Sequence, residues 1–155
     1  NSEYVYKISD FVYMDGFVEF FSTIKERGFF AFVVTNQSGI NRGFYSERDF
    51  KILSDFMQND LKQKTGFCFD RIYHCPHLPN ENCICRKPKI GMIENALKDF
   101  PIDLEHSLLI GDNESDIECA INAGIKTQIL LTKEQKSSKA THIIDNFQKA
   151  HSIIA

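Results

Sequence analysis

The sequence predicts an α/β fold, a Rossmann-like parallel sheet with helices on both faces. Apolar segments of strand length alternate with amphipathic segments of helical length along the chain, which is typical of strands joined by helical crossovers. The segment "FFAFVVT" is apolar over almost its whole length, as expected for a strand buried on both faces. Polar clusters follow three of the strands, at the edge of the sheet where ligands of such folds bind.

The first half of the chain predicts two helices and two strands. Apolar residues at helical spacing over 15–28, closed by a glycine, predict the first helix. Ser46 and Asp49 form a variant of the capping box, so the second helix is expected to begin there. The strands are expected at 29–35 and 69–75.

The second half continues the alternation. Helices are expected at 90–100 and 114–124, with a strand between them at 107–112. The remaining expected elements are, in order, a strand at 126–131, a short strand at 141–145 and a terminal helix at 146–154.

Length and composition predict one globular domain over residues 1–155, since 155 residues with 43% hydrophobic content can build a core. A net charge of −3 gives no general affinity for nucleic acid or an anionic membrane. No apolar run approaches the roughly 20 residues of a membrane helix, and the first residues do not resemble a signal peptide. Five cysteines, three of them crowded together, fit a reducing compartment better than a disulfide framework. We therefore expect a cytoplasmic protein, and we also expect it to be a monomer.

A metal site is predicted in the loop after the second strand. Cys75, His77, Cys83 and Cys85 form the pattern C-x-H-x5-C-x-C, and three thiolates with one imidazole suit a tetrahedral, structural zinc ion. The alternative is a chance cluster of reduced thiols, with one redox-active pair. His74 faces away from Cys75 on an extended chain. The two remaining cysteines, Cys68 and Cys119, are interpreted as small hydrophobic residues.

Two further clusters could bind an anion. Thr35-Asn36-Gln37-Ser38-Gly39 follows the first strand, where a hydroxyl and backbone N–H groups can hold a phosphate, although such a segment is also an ordinary turn. Arg86 and Lys87 follow the cysteine loop directly. They can bind phosphate or sugar hydroxyls, and alternatively they are two solvated surface charges.

An acidic cluster follows the third strand. Asp112 ends an apolar run and Asp116 lies one helical turn later. A carboxylate at this position can hold Mg²⁺, and the alternative is an N-cap with acidic first-turn residues, which helices favour in any case.

The order of these motifs resembles motifs two, three and four of the haloacid dehalogenase phosphatase superfamily: "VVTNQSG", then "CRKP", then "LLIGDNESD". The stretches "TNQSGINRGFYSE", "YHCPH", "CICRKPKIGM" and "GDNESDIECAINAGI" are similar to the heptose 1,7-bisphosphate phosphatases and to their relatives, the histidinol-phosphate phosphatases. The resemblance covers nearly the whole chain and implies a haloacid dehalogenase-like fold with a zinc-binding loop and no large cap.

The resemblance also implies roles for single residues. Thr35 would bind the transferring phosphoryl group, which Lys87 would neutralise, and Arg86 would contact the substrate. Asp112 would bind the catalytic Mg²⁺ and Asp116 would support its loop. The further residues implied in substrate binding are Asn1, Ser2, Glu3, Tyr4, Asn36, Gln37, Ser38 and Asn113.

The chain departs from the family pattern in two ways. It contains no D-x-D-G, the motif that supplies the nucleophilic and acid–base aspartates, because its one Asp-Gly, Asp15-Gly16, has Tyr13 in place of the first Asp. We expect that motif, with the central strand, upstream of Asn1, and we expect the 155-residue chain alone to be inactive. Asn113 stands where some members carry a basic residue, which leaves the choice of substrate open.

The resulting hypothesis is a Mg²⁺-dependent phosphatase that removes the 7-phosphate of D-glycero-D-manno-heptose 1,7-bisphosphate through an aspartyl-phosphate, in the synthesis of nucleotide-activated heptose for lipopolysaccharide. One alternative is a histidinol-phosphate phosphatase. The other is a non-catalytic, zinc-stabilised binding module, if the first motif is truly absent.

Overall fold

A computed structural model describes residues 11–154. The chain divides into two compact units at Asn82 and Cys83, and each unit is described by itself. The expectation of one domain over residues 1–155 stays a prediction. Among the described residues, none of the helices is both long and apolar enough to cross a membrane.

Over its described residues, the first unit has a two-stranded parallel sheet and two α-helices. Its elements are α1 (Phe17–Glu26), β1 (Phe32–Asn36), α2 (Glu47–Thr65) and β2 (Arg71–Cys75). Strand β1 lies parallel to β2, with Thr35 opposite His74 and Asn36 opposite Cys75. Both strands therefore end at the same edge, which carries the first predicted cluster and the start of the cysteine loop.

Aromatic packing and a capped helix hold this unit together. Phe21 and Leu61 are fully buried in one cluster, with Phe17 and Phe69 packed against it. Helix α2 begins where the sequence predicts, because the Ser46 hydroxyl accepts the Asp49 N–H at 3.0 Å and the Asp49 carboxylate accepts the Ser46 N–H at 2.9 Å. This reciprocal pair satisfies two backbone donors that an uncapped helix would leave without partners.

The second unit contains a three-stranded parallel sheet in the order β3-β4-β5 and two helices. Its elements are α3 (Gly91–Asp99), β3 (Leu108–Gly111), α4 (Glu114–Ala123), β4 (Thr127–Leu131) and β5 (His142–Ile144). Ile117, Ile129 and Leu130 have no exposed surface and form its apolar interior. The parallel pairing and the strand–helix alternation confirm the predicted α/β class.

The chain terminus differs from the prediction. A terminal helix was expected at 146–154, but the structure has a short 3₁₀ helix at Phe147–Ala150 followed by a turn. The Asn146 side chain accepts the Lys149 N–H at 3.3 Å and so starts this element. The structure thus has the tighter 3₁₀ form here, which proteins use in short pieces.

Candidate functional site

The loop after β1 is fixed by backbone hydrogen bonds. The Gln37 N–H donates to the Cys75 carbonyl at 2.7 Å, which extends the β1–β2 pairing by one residue. Within the loop, the Phe44 N–H donates to the Gly39 carbonyl at 2.9 Å, and Ser38 is buried. The predicted phosphate-binding segment is therefore a compact turn with a defined shape.

Three side chains of this loop are linked by hydrogen bonds. Gln37 Nε2 donates to Thr35 Oγ1 at 2.9 Å, and Tyr45 Oη bonds to Gln37 Oε1. Tyr45 is buried, with 6% of its surface exposed. Sequence reasoning predicted Thr35 and Gln37 as site residues but missed Tyr45. Its sequence signal is a phenol at the residue directly before the N-cap of α2.

The four residues predicted as zinc ligands come together in the loop that leads out of β2. Cys75, His77, Cys83 and Cys85 each offer a ligand atom, and these atoms lie within 4.8 Å of one another. A tetrahedron of Zn–S bonds of about 2.3 Å places its ligand atoms about 3.8 Å apart. This group of three thiols and one imidazole therefore fits zinc by chemistry and by spacing.

Two of these cysteines also have another state. Cys75 and Cys85 are disulfide-bonded in the structure, and Cys83 takes no part in a disulfide. Only a thiolate binds zinc, so this disulfide and a zinc ion are alternative states of the same sulfur atoms. The sequence left open a zinc site or a chance cluster of reduced thiols with one redox-active pair, so the choice of zinc is a proposal.

His74 and Cys119, which were not predicted as zinc ligands, contact groups outside this set. His74 Nε2 lies 2.5 Å from Glu47 Oε1, and its ring packs on Phe50 at 4.5 Å between centroids. Cys119 is buried in α4, where burial raises the pKa of its thiol to about 11. Such a thiol is neutral at physiological pH and behaves as a small hydrophobic residue.

The carboxyl side of the cysteine loop is tied to the start of α3. The Gly91 N–H donates to the Ile84 carbonyl at 2.9 Å, and Lys89 Nζ donates to the Cys83 carbonyl at 2.6 Å. A Cβ at Gly91 would lie 2.4 Å from the Ile84 carbonyl oxygen, so only glycine permits this approach. The turn that carries Arg86 and Lys87 is held between these anchors.

Lys87 forms an ion pair with Asp116. Its Nζ lies 2.5 Å from Asp116 Oδ1, and only 12% and 8% of the two side chains are exposed. The second oxygen, Asp116 Oδ2, accepts the Asn113 N–H at 3.1 Å. A Cβ at Gly111 would lie 2.4 Å from Asp116. The last residue of β3 must therefore be glycine for this carboxylate to reach both partners.

Asp112 lies on the exposed side of the same loop. One of its carboxylate oxygens accepts the Asn113 side-chain amide at 3.0 Å, and both residues are exposed. An exposed carboxylate at the carboxyl end of a parallel strand is a suitable oxygen ligand for Mg²⁺. The carboxylate of Asp116 is engaged with Lys87, which fits a supporting role.

The structure thus groups the predicted residues within each unit. Thr35 and Gln37 are in contact in the first unit, and Lys87 with Asp116 and Asp112 with Asn113 are in contact in the second. Asn1, Ser2, Glu3 and Tyr4 lie outside the described residues. The Lys87–Asp116 pair spans 29 positions in the sequence, and no local pattern reveals such a pair.

Sequence comparison shows that this chain is similar to known phosphatases. A family described as HAD-hydrolase-like matches residues 84–153. The D-glycero-alpha-D-manno-heptose-1,7-bisphosphate 7-phosphatase of Campylobacter jejuni is 46% identical over 136 residues, which cover 88% of this chain and 77% of that protein. The D-glycero-beta-D-manno-heptose-1,7-bisphosphate 7-phosphatase of Helicobacter pylori J99 is 45% identical over 130 residues, 84% of this chain and 75% of that protein.

Two solved structures share the fold. A D,D-heptose 1,7-bisphosphate phosphatase from B. bronchiseptica, complexed with magnesium and phosphate, matches with a TM-score of 0.86 at 22% identity, over 99% of this chain and 90% of that one. A putative HAD-like phosphatase from Mesorhizobium loti matches with a TM-score of 0.83 at 23% identity, over 96% of this chain and 75% of that one.

Proposed function

Because the chain belongs to the family of haloacid-dehalogenase-like D-glycero-D-manno-heptose-1,7-bisphosphate 7-phosphatases, we propose that the native protein removes the 7-phosphate of this sugar bisphosphate. The observation that carries the proposal is the loop after β3. The buried Asp116, which follows this loop, is paired with Lys87 in the same unit as the exposed Asp112 carboxylate. A fixed cation and a Mg²⁺-binding carboxylate are what phosphoryl transfer requires of a protein.

The chemistry follows from charge and position. An aspartate carboxylate attacks phosphorus, the bond between phosphorus and the C7 oxygen breaks, and the leaving alkoxide takes a proton from a second aspartate. Water then hydrolyses the aspartyl-phosphate. We propose that both aspartates belong to a D-x-D-G motif, which these 155 residues do not contain.

The residues of this chain bind and neutralise the phosphate. Lys87 provides positive charge, Thr35 donates a hydrogen bond, and Arg86 contacts the sugar. We propose that Asn36, Gln37, Ser38 and Asn113 contribute to sugar binding, and the same role is proposed for Asn1, Ser2, Glu3 and Tyr4. Asp112 would hold Mg²⁺, which when bound neutralises phosphate charge, and Asp116 holds Lys87 and the Asn113 backbone in place.

The cellular setting follows from the substrate. The product is a heptose 1-phosphate, which fits the supply of nucleotide-activated heptose for lipopolysaccharide. Sugar activation of this kind places the protein in the cytoplasm, and we propose that it acts there as a monomer, with neither nucleic acid nor membrane as a partner. The net charge of −3 supports the last point.

The test is phosphate release by the native protein and by the 155-residue chain. With Mg²⁺, we expect the native protein to cleave both anomers of heptose 1,7-bisphosphate faster than histidinol phosphate, and the 155-residue chain to be inert. Asp112→Asn should abolish turnover, while Asp55→Asn, which changes an exposed carboxylate on α2, should not. A preference for histidinol phosphate, or turnover that survives Asp112→Asn, contradicts the proposal.

We also propose that the cysteine loop holds a structural zinc ion in the reduced protein. All four tetrahedral positions are filled by protein ligands, so no water is available for catalysis, and zinc binding can stabilise the loop by on the order of 10 kcal/mol. Metal analysis of protein purified with a reductant should find one zinc ion per chain. Cys83→Ser should lose the zinc and Cys68→Ser should retain it. A stable Cys75–Cys85 disulfide without zinc under these conditions would overturn this assignment.

A further inference from the structure

The direction of the side-chain hydrogen bonds at the end of β1 is fixed, because the amide oxygen of Gln37 can only accept a hydrogen bond and its amide nitrogen can only donate one. Gln37 Oε1 can only accept, so Tyr45 Oη donates to it. Gln37 Nε2 can only donate, so Thr35 Oγ1 accepts at 2.9 Å. All three side chains are neutral, and the direction is therefore determined by donor and acceptor identity rather than by charge.

This direction determines what the Thr35 hydroxyl can do. Its oxygen already accepts from Gln37, so its single hydrogen is left to donate. The internal acceptor that the structure gives for this hydrogen is the Asn36 carbonyl at 3.5 Å, which is long for a hydroxyl donor. If the Gln37 amide were turned over, its oxygen would accept the Thr35 hydrogen, and the hydroxyl would be lost as an outward donor.

Tyr45 is placed to prevent that reversal. A phenol is acidic and donates more strongly than it accepts, so it favours the amide orientation in which Oε1 faces it. Tyr45 is 6% exposed, which excludes water from competing for this bond, and it directly precedes Ser46, the capped start of α2. The backbone bond from Gln37 to Cys75 fixes the other end.

We propose that Tyr45 and Gln37 are positioning residues for phosphoryl transfer, which aim the Thr35 O–H at a phosphoryl oxygen of the substrate. The inference rests on the proposed function, in which Thr35 binds that group. A donor aimed before the substrate arrives requires no reorganisation as charge develops on the phosphoryl oxygens, and donors of this kind are the ones that lower the barrier most.

A double-mutant cycle in the native protein tests the inference. Tyr45→Phe removes the phenol that holds the amide, and we expect kcat to fall roughly tenfold with little change in KM, since the lost bond acts on transition-state charge. Thr35→Val removes the donor itself, and we expect a loss of about a hundredfold. The double variant should lose no more than Thr35→Val alone, because the phenol acts through the threonine.

Controls separate positioning from a general effect on the fold. Thr35→Ser keeps the hydroxyl, so it should retain most of the activity and should still lose about tenfold when Tyr45→Phe is added. Tyr73→Phe removes the phenol on β2 and should leave kcat unchanged. If the losses from Tyr45→Phe and Thr35→Val instead multiply, Tyr45 acts independently of Thr35, and the inference is wrong.

Measurements with a second substrate and with an inhibitor distinguish failure of this inference from failure of the proposed function. The cycle is measured with p-nitrophenyl phosphate as well as with heptose 1,7-bisphosphate, and the binding of orthovanadate by the same variants gives a readout without turnover. Cleavage of the aryl ester alone would overturn the proposed substrate while the cycle still decides the role of Tyr45. A native protein that neither cleaves these esters nor binds vanadate would overturn both.

Discussion

The loop after β1 and the loop after β3 follow the carboxyl ends of parallel strands in their own units, but they are built from different chemistry. The first is held by neutral side chains, with Tyr45, Gln37 and Thr35 joined by hydrogen bonds. The second is held by charge, with Lys87 and Asp116 paired at 2.5 Å. Tyr45 in the first loop and Asp116 in the second arrangement are buried.

The difference shows that one loop can orient a hydrogen-bond donor while the other provides positive and negative charge. A network of neutral side chains sets the direction of a hydrogen-bond donor but contributes no net charge. Removing one of its members should lower the free energy of unfolding by about as much as the loss of one ordinary hydrogen bond. A buried ion pair supplies charge, but each partner depends on the other, because an unpaired charge away from water is costly. The two loops should therefore respond very differently to substitution.

The largest effect is expected from Lys87→Met, which leaves the Asp116 carboxylate buried without its cation. We expect the free energy of unfolding to fall by about 3–5 kcal/mol. Lys51→Met, which breaks the exposed Lys51–Asp55 pair with 75% and 59% of its side chains accessible, should cost less than about 1 kcal/mol. Urea denaturation measures both. Equal losses in the two variants would mean that the Lys87–Asp116 pair is solvated.

A smaller effect is expected from Gly111→Ala. The added Cβ would lie 2.4 Å from Asp116 and force that carboxylate away, at a cost of about 1–3 kcal/mol. Gly66→Ala is the control, since Gly66 has a φ of +83° with nothing within 4 Å and costs stability through backbone strain alone. Only Gly111→Ala should also weaken Mg²⁺-dependent turnover. Loss of turnover in both variants would indicate a general effect on folding.

The smallest effect is expected on the pH dependence of stability, at the site where the Tyr13 hydroxyl contacts the Lys64–Asp60 ion pair. Tyr13 Oη donates to Asp60 Oδ2 at 2.7 Å. Burial, and then Asp60 as hydrogen-bond partner and negative charge, raise the pKa of Tyr13 above its usual 10.0. A raised pKa stabilises the fold fully below pH 10, and this contribution is lost as the pH rises through the pKa of the folded state.

Thermal unfolding of the wild type and of Tyr13→Phe checks this sign. The difference in Tm should be constant from pH 6 to about pH 9 and should shrink above about pH 10. At acid pH a second loss is expected, because hydrogen bonds from Lys64 and then from Tyr13 lower the pKa of Asp60. That contribution is present above its usual value of 3.8 and is lost as the pH falls through the lower pKa of the folded state. A Tm difference that grows above pH 10 would contradict the assignment.

What the sequence predicted correctly is local. The capping box needs residues three positions apart, and the four residues of the Cys/His group lie within eleven positions, so both groupings can be read from the order of residues. The strand–helix alternation is local in the same sense, and β1, β2, β3, β4 and β5 all fall within or one residue beyond the expected segments. These features follow from backbone periodicity and ligand spacing alone.

What the sequence did not reveal depends on long-range packing or on the choice between two helical forms. Tyr45 was missed because a buried phenol in a loop looks like any aromatic residue until its partner is known. The Lys87–Asp116 pair was not foreseen, since each residue was assigned a separate role. The apolar spacing of residues 146–154 did not distinguish the 3₁₀ helix found at Phe147–Ala150 from the expected α-helix.

The contact between Ile84 and Gly91 makes the cysteine loop suitable for spectroscopy. The Ile84 backbone is fixed by its carbonyl, yet its side chain is 76% exposed between two predicted zinc ligands. The chain contains no tryptophan. An indole placed at this position by Ile84→Trp would therefore be the single tryptophan emitter among these 155 residues. Its wavelength and anisotropy would report the order of the loop in real time, without labelling any cysteine.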